Sequence, residues 1–102
     1  MKTIKLNDGT FCRHNHSDRM VKLAYKYLTE YFSDNCARRP GDFEDDFCGK
    51  WSFDQGPWRA SPFYPALALL VSEGSVMYRV DEGTGDFWYG TEKAIKDQFL
   101  EQ

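Results

Sequence analysis

Cys12, His14 and His16 are the residues whose types and spacing first suggest chemistry, because side chains two apart share one face of an extended chain. Thiolate and imidazole are ligands of tetrahedral zinc, and Cys36 and Cys48 could complete such a set. The order CxHxH, followed by cysteines at 36 and 48, fits no zinc-binding spacing, so no metal and no other cofactor is expected. Cys12 could instead act as a nucleophile if His14 or Lys5 lowered its thiol pKa. A small metal-dependent or cysteine enzyme built on this strip is therefore the alternative reading. Cys36 and Cys48 lie close to acidic residues, which disfavours a thiolate. Asp42, Glu44, Asp45, Asp46 and Asp54 lack the ligand order of an EF-hand, and Gly83 and Gly85 do not form a phosphate-binding loop. No catalytic residue is assigned.

Large aromatics crowd a stretch punctuated by proline and glycine: Phe43, Phe47, Trp51, Phe53, Trp58, Phe63 and Tyr64. Some must be core, but loops of this kind bury side chains poorly, and Trp, Tyr and Arg are the usual anchors of protein interfaces. Trp58 and Arg59, with Arg38 and Arg39 nearby, are the leading partner-binding candidates. The competing reading has Trp58 plugging the end of a sheet under its own loop. The acidic group Asp42, Glu44, Asp45 and Asp46 would steer a basic partner toward them.

These residues need a scaffold, and Ser17 to Asn35 supplies its centre. Met20, Leu23, Ala24, Tyr27, Leu28 and Tyr31 recur at helical spacing, Val21 and Phe32 widen the stripe, and Arg19, Lys22, Lys26 and Glu30 fall opposite. Ser17 is the expected N-cap, Asp18 complements the helix dipole, and Asn35 can adopt the left-handed conformation that stops the helix. Before it, Thr3–Leu6 and Thr10–Arg13 flank Asp8-Gly9 and predict a hairpin. With a two-residue turn, Leu6 pairs with Phe11 and Ile4 with Arg13, placing Ile4, Leu6 and Phe11 on one face and Cys12 on the other.

Residues 36–49 read as a loop and Lys50–Asp54 as a short strand. Ala66–Val71 is read as a strand turning at Glu73-Gly74 into a second one, Ser75–Asp81. A helix, which Pro65 and Gly74 would suit, is the competing assignment. Asp86–Tyr89 follows the Glu82–Gly85 turn as the last strand, with Phe87 and Tyr89 on one face and Trp88 on the other. Thr91 caps a short final helix packed through Ala94, Ile95 and Phe99. The order is β-β-α-loop-β-β-β-β-α: an α+β fold with one long amphipathic helix on an antiparallel sheet.

A chain of 102 residues has room for one domain, here residues 1–102, and 41% hydrophobic residues suffice to offset its chain entropy. No apolar leader opens the sequence and no apolar run approaches the roughly 20 residues that span a bilayer, so a soluble, cytoplasmic protein with no membrane partner is expected. Three cysteines without CxxC spacing agree with a reducing compartment. The net charge of -3 is uneven: six Lys/Arg against three Asp/Glu up to Glu30, three against seven from Pro62 onward. This balance argues against general nucleic-acid binding, although a weak module using Arg13, Arg19, Lys22 and Lys26 is a further alternative. The first expectation is a non-enzymatic domain that inhibits a larger protein, such as a nucleic-acid-processing complex or a toxin, by occupying its surface. In size and composition alone, the chain is like the small acidic inhibitors of phages and mobile elements, anti-CRISPR proteins among them, and like toxin-immunity proteins.

Overall fold

The computed structural model describes residues 2–39, 42 and 61–99. Across them the chain is α+β: strands β1 (Lys2–Lys5) and β2 (Phe11–His14), helix α1 (Asp18–Tyr31) running into a 3-10 turn (Phe32–Asp34), helix α2 (Phe63–Glu73), strands β3 (Met77–Val80) and β4 (Phe87–Gly90), and helix α3 (Glu92–Phe99). The strands form two separate antiparallel ribbons, β1–β2 and β3–β4. Among the described residues no helix is long and apolar enough to cross a membrane.

Helix α1 begins and ends where its capping chemistry requires. Ser17 accepts a hydrogen bond from the Met20 N–H at 3.2 Å, Asp18 sits in the first turn, and Asn35 adopts φ 57° past the 3-10 turn. Its buried face is Val21, Ala24, Leu28 and Phe32, whereas Leu23 is 40% exposed. The stripe keeps Ala24 and Leu28 as expected and is shifted toward Val21 and Phe32, which the spacing treats as its margin. That face packs chiefly on α2, whose Phe63, Ala66, Leu67 and Leu70 complete the core with Val76.

Helix α2 replaces the strand expected at Ala66–Val71. Pro65 lies in the first turn, where its missing N–H costs nothing, and Gly74 at φ 86° closes the last turn by donating to the Leu70 and Val71 carbonyls. These stop signals outweigh the β-like apolar run, because a helix whose sequence is apolar nearly all round carries no clear periodicity of its own. The other expected strand, Lys50–Asp54, lies outside the described residues, as does most of the 36–49 loop.

The N-terminal hairpin forms, but one residue out of the expected register. Ile4 pairs with Cys12 and Lys5 with Phe11. The loop holds three residues rather than two: the Gly9 N–H donates to the Leu6 carbonyl, the Leu6 N–H to the Thr10 carbonyl, and Gly9 takes φ 90°. A slip of one residue exchanges the faces of a strand. Cys12 therefore shares the inward face with Ile4, and Phe11 is 66% exposed.

Among the described residues, hydrogen bonds between three residue pairs tie distant parts together. Asn7 donates its backbone N–H and its amide to Ser72 Oγ at 3.2 Å, Tyr25 donates to Glu73, and Thr91 donates to Asn35 at 2.7 Å while capping Ala94 of α3.

Candidate partner-binding surface

The strip that looked catalytic is folded inward. Cys12 is buried, its thiol donates only a long contact to the Arg13 carbonyl (3.8 Å), and burial pushes its pKa up, away from the thiolate that a nucleophile or a zinc ligand needs. His14 is also buried. Its Nδ1 accepts from the His16 N–H at 3.1 Å, its Nε2 has no protein partner, and its ring stacks 6.2 Å from that of His16. Burial, reinforced by His16 and Lys2, holds the His14 pKa below its ordinary value. Cys36 is exposed, and Cys48 lies outside the described residues. Among the described residues no three His, Cys, Asp or Glu side chains converge as metal ligands would.

The arginines expected to reach a partner are engaged within the chain. Arg38 pairs with Asp34, which sits below the usual carboxylate range because of that bond, and its guanidinium lies 4.2 Å over the Tyr31 ring. Its backbone exchanges two 2.8 Å hydrogen bonds with Tyr89, adding one rung to the outer side of β4. Arg39 stands over Trp88 at 5.2 Å, with Asp42 and Asp86 each 3.6 Å away. Trp58, Arg59, Glu44, Asp45 and Asp46 lie outside the described residues. Arg13, Arg19, Lys22 and Lys26 are all exposed along β2 and α1.

The β3–β4 ribbon carries the surface that the sequence reading did not single out. Tyr78 opposes Tyr89 and Val80 opposes Phe87, so these four share one face, and Met77, Arg79, Trp88 and Gly90 the other. The rear face is spoken for: α3 packs against it, Arg79 lies 4.5 Å over Phe99, and Gly90 is so close to α3 that a β-carbon there would stand 3.0 Å from Ala94 Cβ. On the front face only Tyr89 reaches the core. Tyr78, Val80 and Phe87 are 54%, 39% and 46% exposed, with the Tyr78 ring 6.2 Å from Phe87 and 5.8 Å from Tyr89.

Between this face and α2 runs a groove of about 400 Å³, walled by Tyr78 and Tyr89 on one side, by Tyr64, Leu67 and Val71 on the other, and reached by Asp8 of the hairpin loop. Its size falls within the roughly 300–1,000 Å³ of ordinary ligand pockets. Asp8 accepts from the Thr10 N–H and hydroxyl at 2.9 and 2.6 Å, and these bonds lower its pKa. The period-2 alternation shows which residues share a face, but which face is covered depends on α2 and α3. Reading Ala66–Val71 as a strand hid the groove. Comparison of the chain with family models, with curated proteins and with solved structures returns no match.

Proposed function

We propose that the protein is a non-enzymatic binding domain that acts by occupying a surface of a larger protein, in the manner of an inhibitor. The observation that carries this reading is the exposed aromatic face of Tyr78, Val80 and Phe87. Large apolar side chains held in water on a ribbon braced from behind cost solubility and add little to the core, and such patches mark interaction sites. Aromatic anchors on a preorganised surface lose little side-chain entropy on binding. The burial of Cys12 and the absence of a ligand cluster among the described residues weigh against the enzyme alternative. The nucleic-acid alternative has only a solvated, basic helix face behind it.

The test is affinity capture from host lysate with the full chain as bait, followed by measurement of affinity for the protein recovered. Tyr78→Ser with Phe87→Ser should lower that affinity by at least about 2 kcal/mol, the range of interface hot spots, with the thermal midpoint nearly unchanged. Trp58→Ala, measured alongside, tells whether Trp58 and Arg59 share the load. Unchanged capture by the double variant removes the ribbon face from the interface.

A further inference from the structure

Strand β3 is paired on one side by β4, and among the described residues its outer edge is open, with a groove beside it. Because the Tyr89 N–H and C=O both bond to Arg38, they point away from β3. The alternation of an antiparallel ladder then assigns the hydrogen-bonded pairs to Arg79 with Trp88 and Met77 with Gly90. It follows that Tyr78 and Val80 turn their main-chain N–H and C=O groups outward, away from β4. Among the described residues no backbone group takes them up, and all four residues of β3 are exposed. Natural folds usually cover or blunt such an edge, since it is a template for another strand.

The flanks of this edge are shaped and charged. Tyr78 walls the groove of about 400 Å³, and Val80 lines a second cavity of about 230 Å³ with Asp81, Glu82 and Gly83. A strand laid along β3 would send alternate side chains toward the Tyr78 face, where the groove can receive an apolar one. Asp8, hydrogen-bonded by Thr10, stands at the groove, and Asp81 and Glu82 stand at the tip of the ribbon. Arg79 also lines the smaller cavity, but its guanidinium lies over Phe99 on the rear face. The edge is therefore apolar at Tyr78 and Val80 and negative at its tip, with Asp8 in the groove alongside. A second copy of this chain would bring the same negative flanks and fits it poorly.

We infer that β3 recruits an extended segment of a partner protein in which apolar residues alternate with lysine or arginine, adding it as a new strand on the Tyr78–Val80 edge. The inference rests on the protein-binding reading and supplies its site and its chemistry. Main-chain bonds to Tyr78 and Val80 give the register, the groove selects an apolar side chain, and Asp81 and Glu82 at the ribbon tip attract the basic ones, which the alternation sends to the other face.

The probe is a short capped peptide of alternating lysine and valine, titrated into the isotope-labelled full chain. The controls are a glutamate–valine counterpart and a lysine–valine peptide N-methylated at alternate residues. The lysine–valine peptide should shift the Tyr78 and Val80 amides and slow their hydrogen exchange, more weakly as salt is added, and neither control should do so. Val80→Pro removes an outward N–H without breaking a rung of β3–β4, so the ribbon should persist and the peptide should bind about tenfold or more weaker. Unshifted Tyr78 and Val80 amides, or equal binding by Val80→Pro, overturn the inference. So does concentration-dependent protection of those amides without peptide, which would make a second copy the occupant. If a captured partner is released by the Tyr78→Ser, Phe87→Ser variant but held by Val80→Pro, the protein-binding reading stands and strand addition does not.

Discussion

Two ribbons of four-residue strands, built by the same antiparallel pairing, differ in what they bury. The β1–β2 hairpin turns Cys12 and His14 inward and leaves Phe11 outside. The β3–β4 ribbon buries none of Tyr78, Val80 or Phe87, although these are side chains that usually close a core. The difference comes from what each ribbon leans on. The hairpin packs its inward face toward α2, while β3–β4 is held from behind by α3 and keeps most of its front face free. Residue type by itself is thus a poor guide to role here: the groups with catalytic chemistry are packing, and the groups with packing chemistry are accessible.

The most direct way to break this contrast uses one residue type in two places. Phe63, 1% exposed in the core, should cost about 3–5 kcal/mol when replaced by alanine. Phe87→Ala should cost less than about 1 kcal/mol, since little more than cross-strand contact is lost. Equal losses in chemical denaturation would mean that the Phe87 face is buried in solution. A smaller effect tests the brace. Gly90→Ala pushes a β-carbon to 3.0 Å from Ala94 Cβ and 3.3 Å from the Ala37 Cα, neither of which is the end of a flexible side chain. A loss of about 1–3 kcal/mol is expected, with α3 shifting to relieve the crowding.

The α+β class, the hairpin, the caps of α1 and the whole of α3 were legible in the sequence, because each rests on local rules: Ser17 at an N-cap, Asp8-Gly9 at a turn, Ile95 and Phe99 one helical turn apart. What failed was set at longer range. The choice between a two- and a three-residue loop at Asn7–Gly9 is decided by which face finds a partner, and α2 favours Cys12 over Phe11. Ala66–Val71 carries strand and helix propensity alike, and burial against α1 decides between them. Nothing local to Arg38 and Arg39, the partner-binding candidates, reveals that Tyr31, Asp34, Trp88 and Asp86 converge on them.

The gentlest probe of the contrast is pH. His14 has a folded pKa below the ordinary 6.5, through burial first and then its electrostatic interaction with His16 and Lys2, with Asp18 opposing. Between the unfolded and folded values the unfolded chain binds more protons, so stability rises with pH in that window. The contribution is complete above about pH 6.5 and is lost as pH falls toward the folded value. A fall in the denaturation midpoint from pH 7 to pH 5, reduced in His14→Gln, is the expected result. An equal fall in the variant would place the titrating group elsewhere.

The three long ties carry a consequence for how fast the chain reaches this state. Asn7 to Ser72, Tyr25 to Glu73 and Asn35 to Thr91 close loops of 65, 48 and 56 residues in sequence separation. Loop closure becomes costlier by only about 0.6 kcal/mol per doubling of length, yet it must precede the contacts that reward it. Helix α1 can form early from its own caps and turns, but the hairpin loop, α2 and α3 gain their fixed positions only when distant segments meet. The fold should therefore assemble more slowly than a helical bundle of its length, with the N-terminal hairpin and the final helix locking late and together.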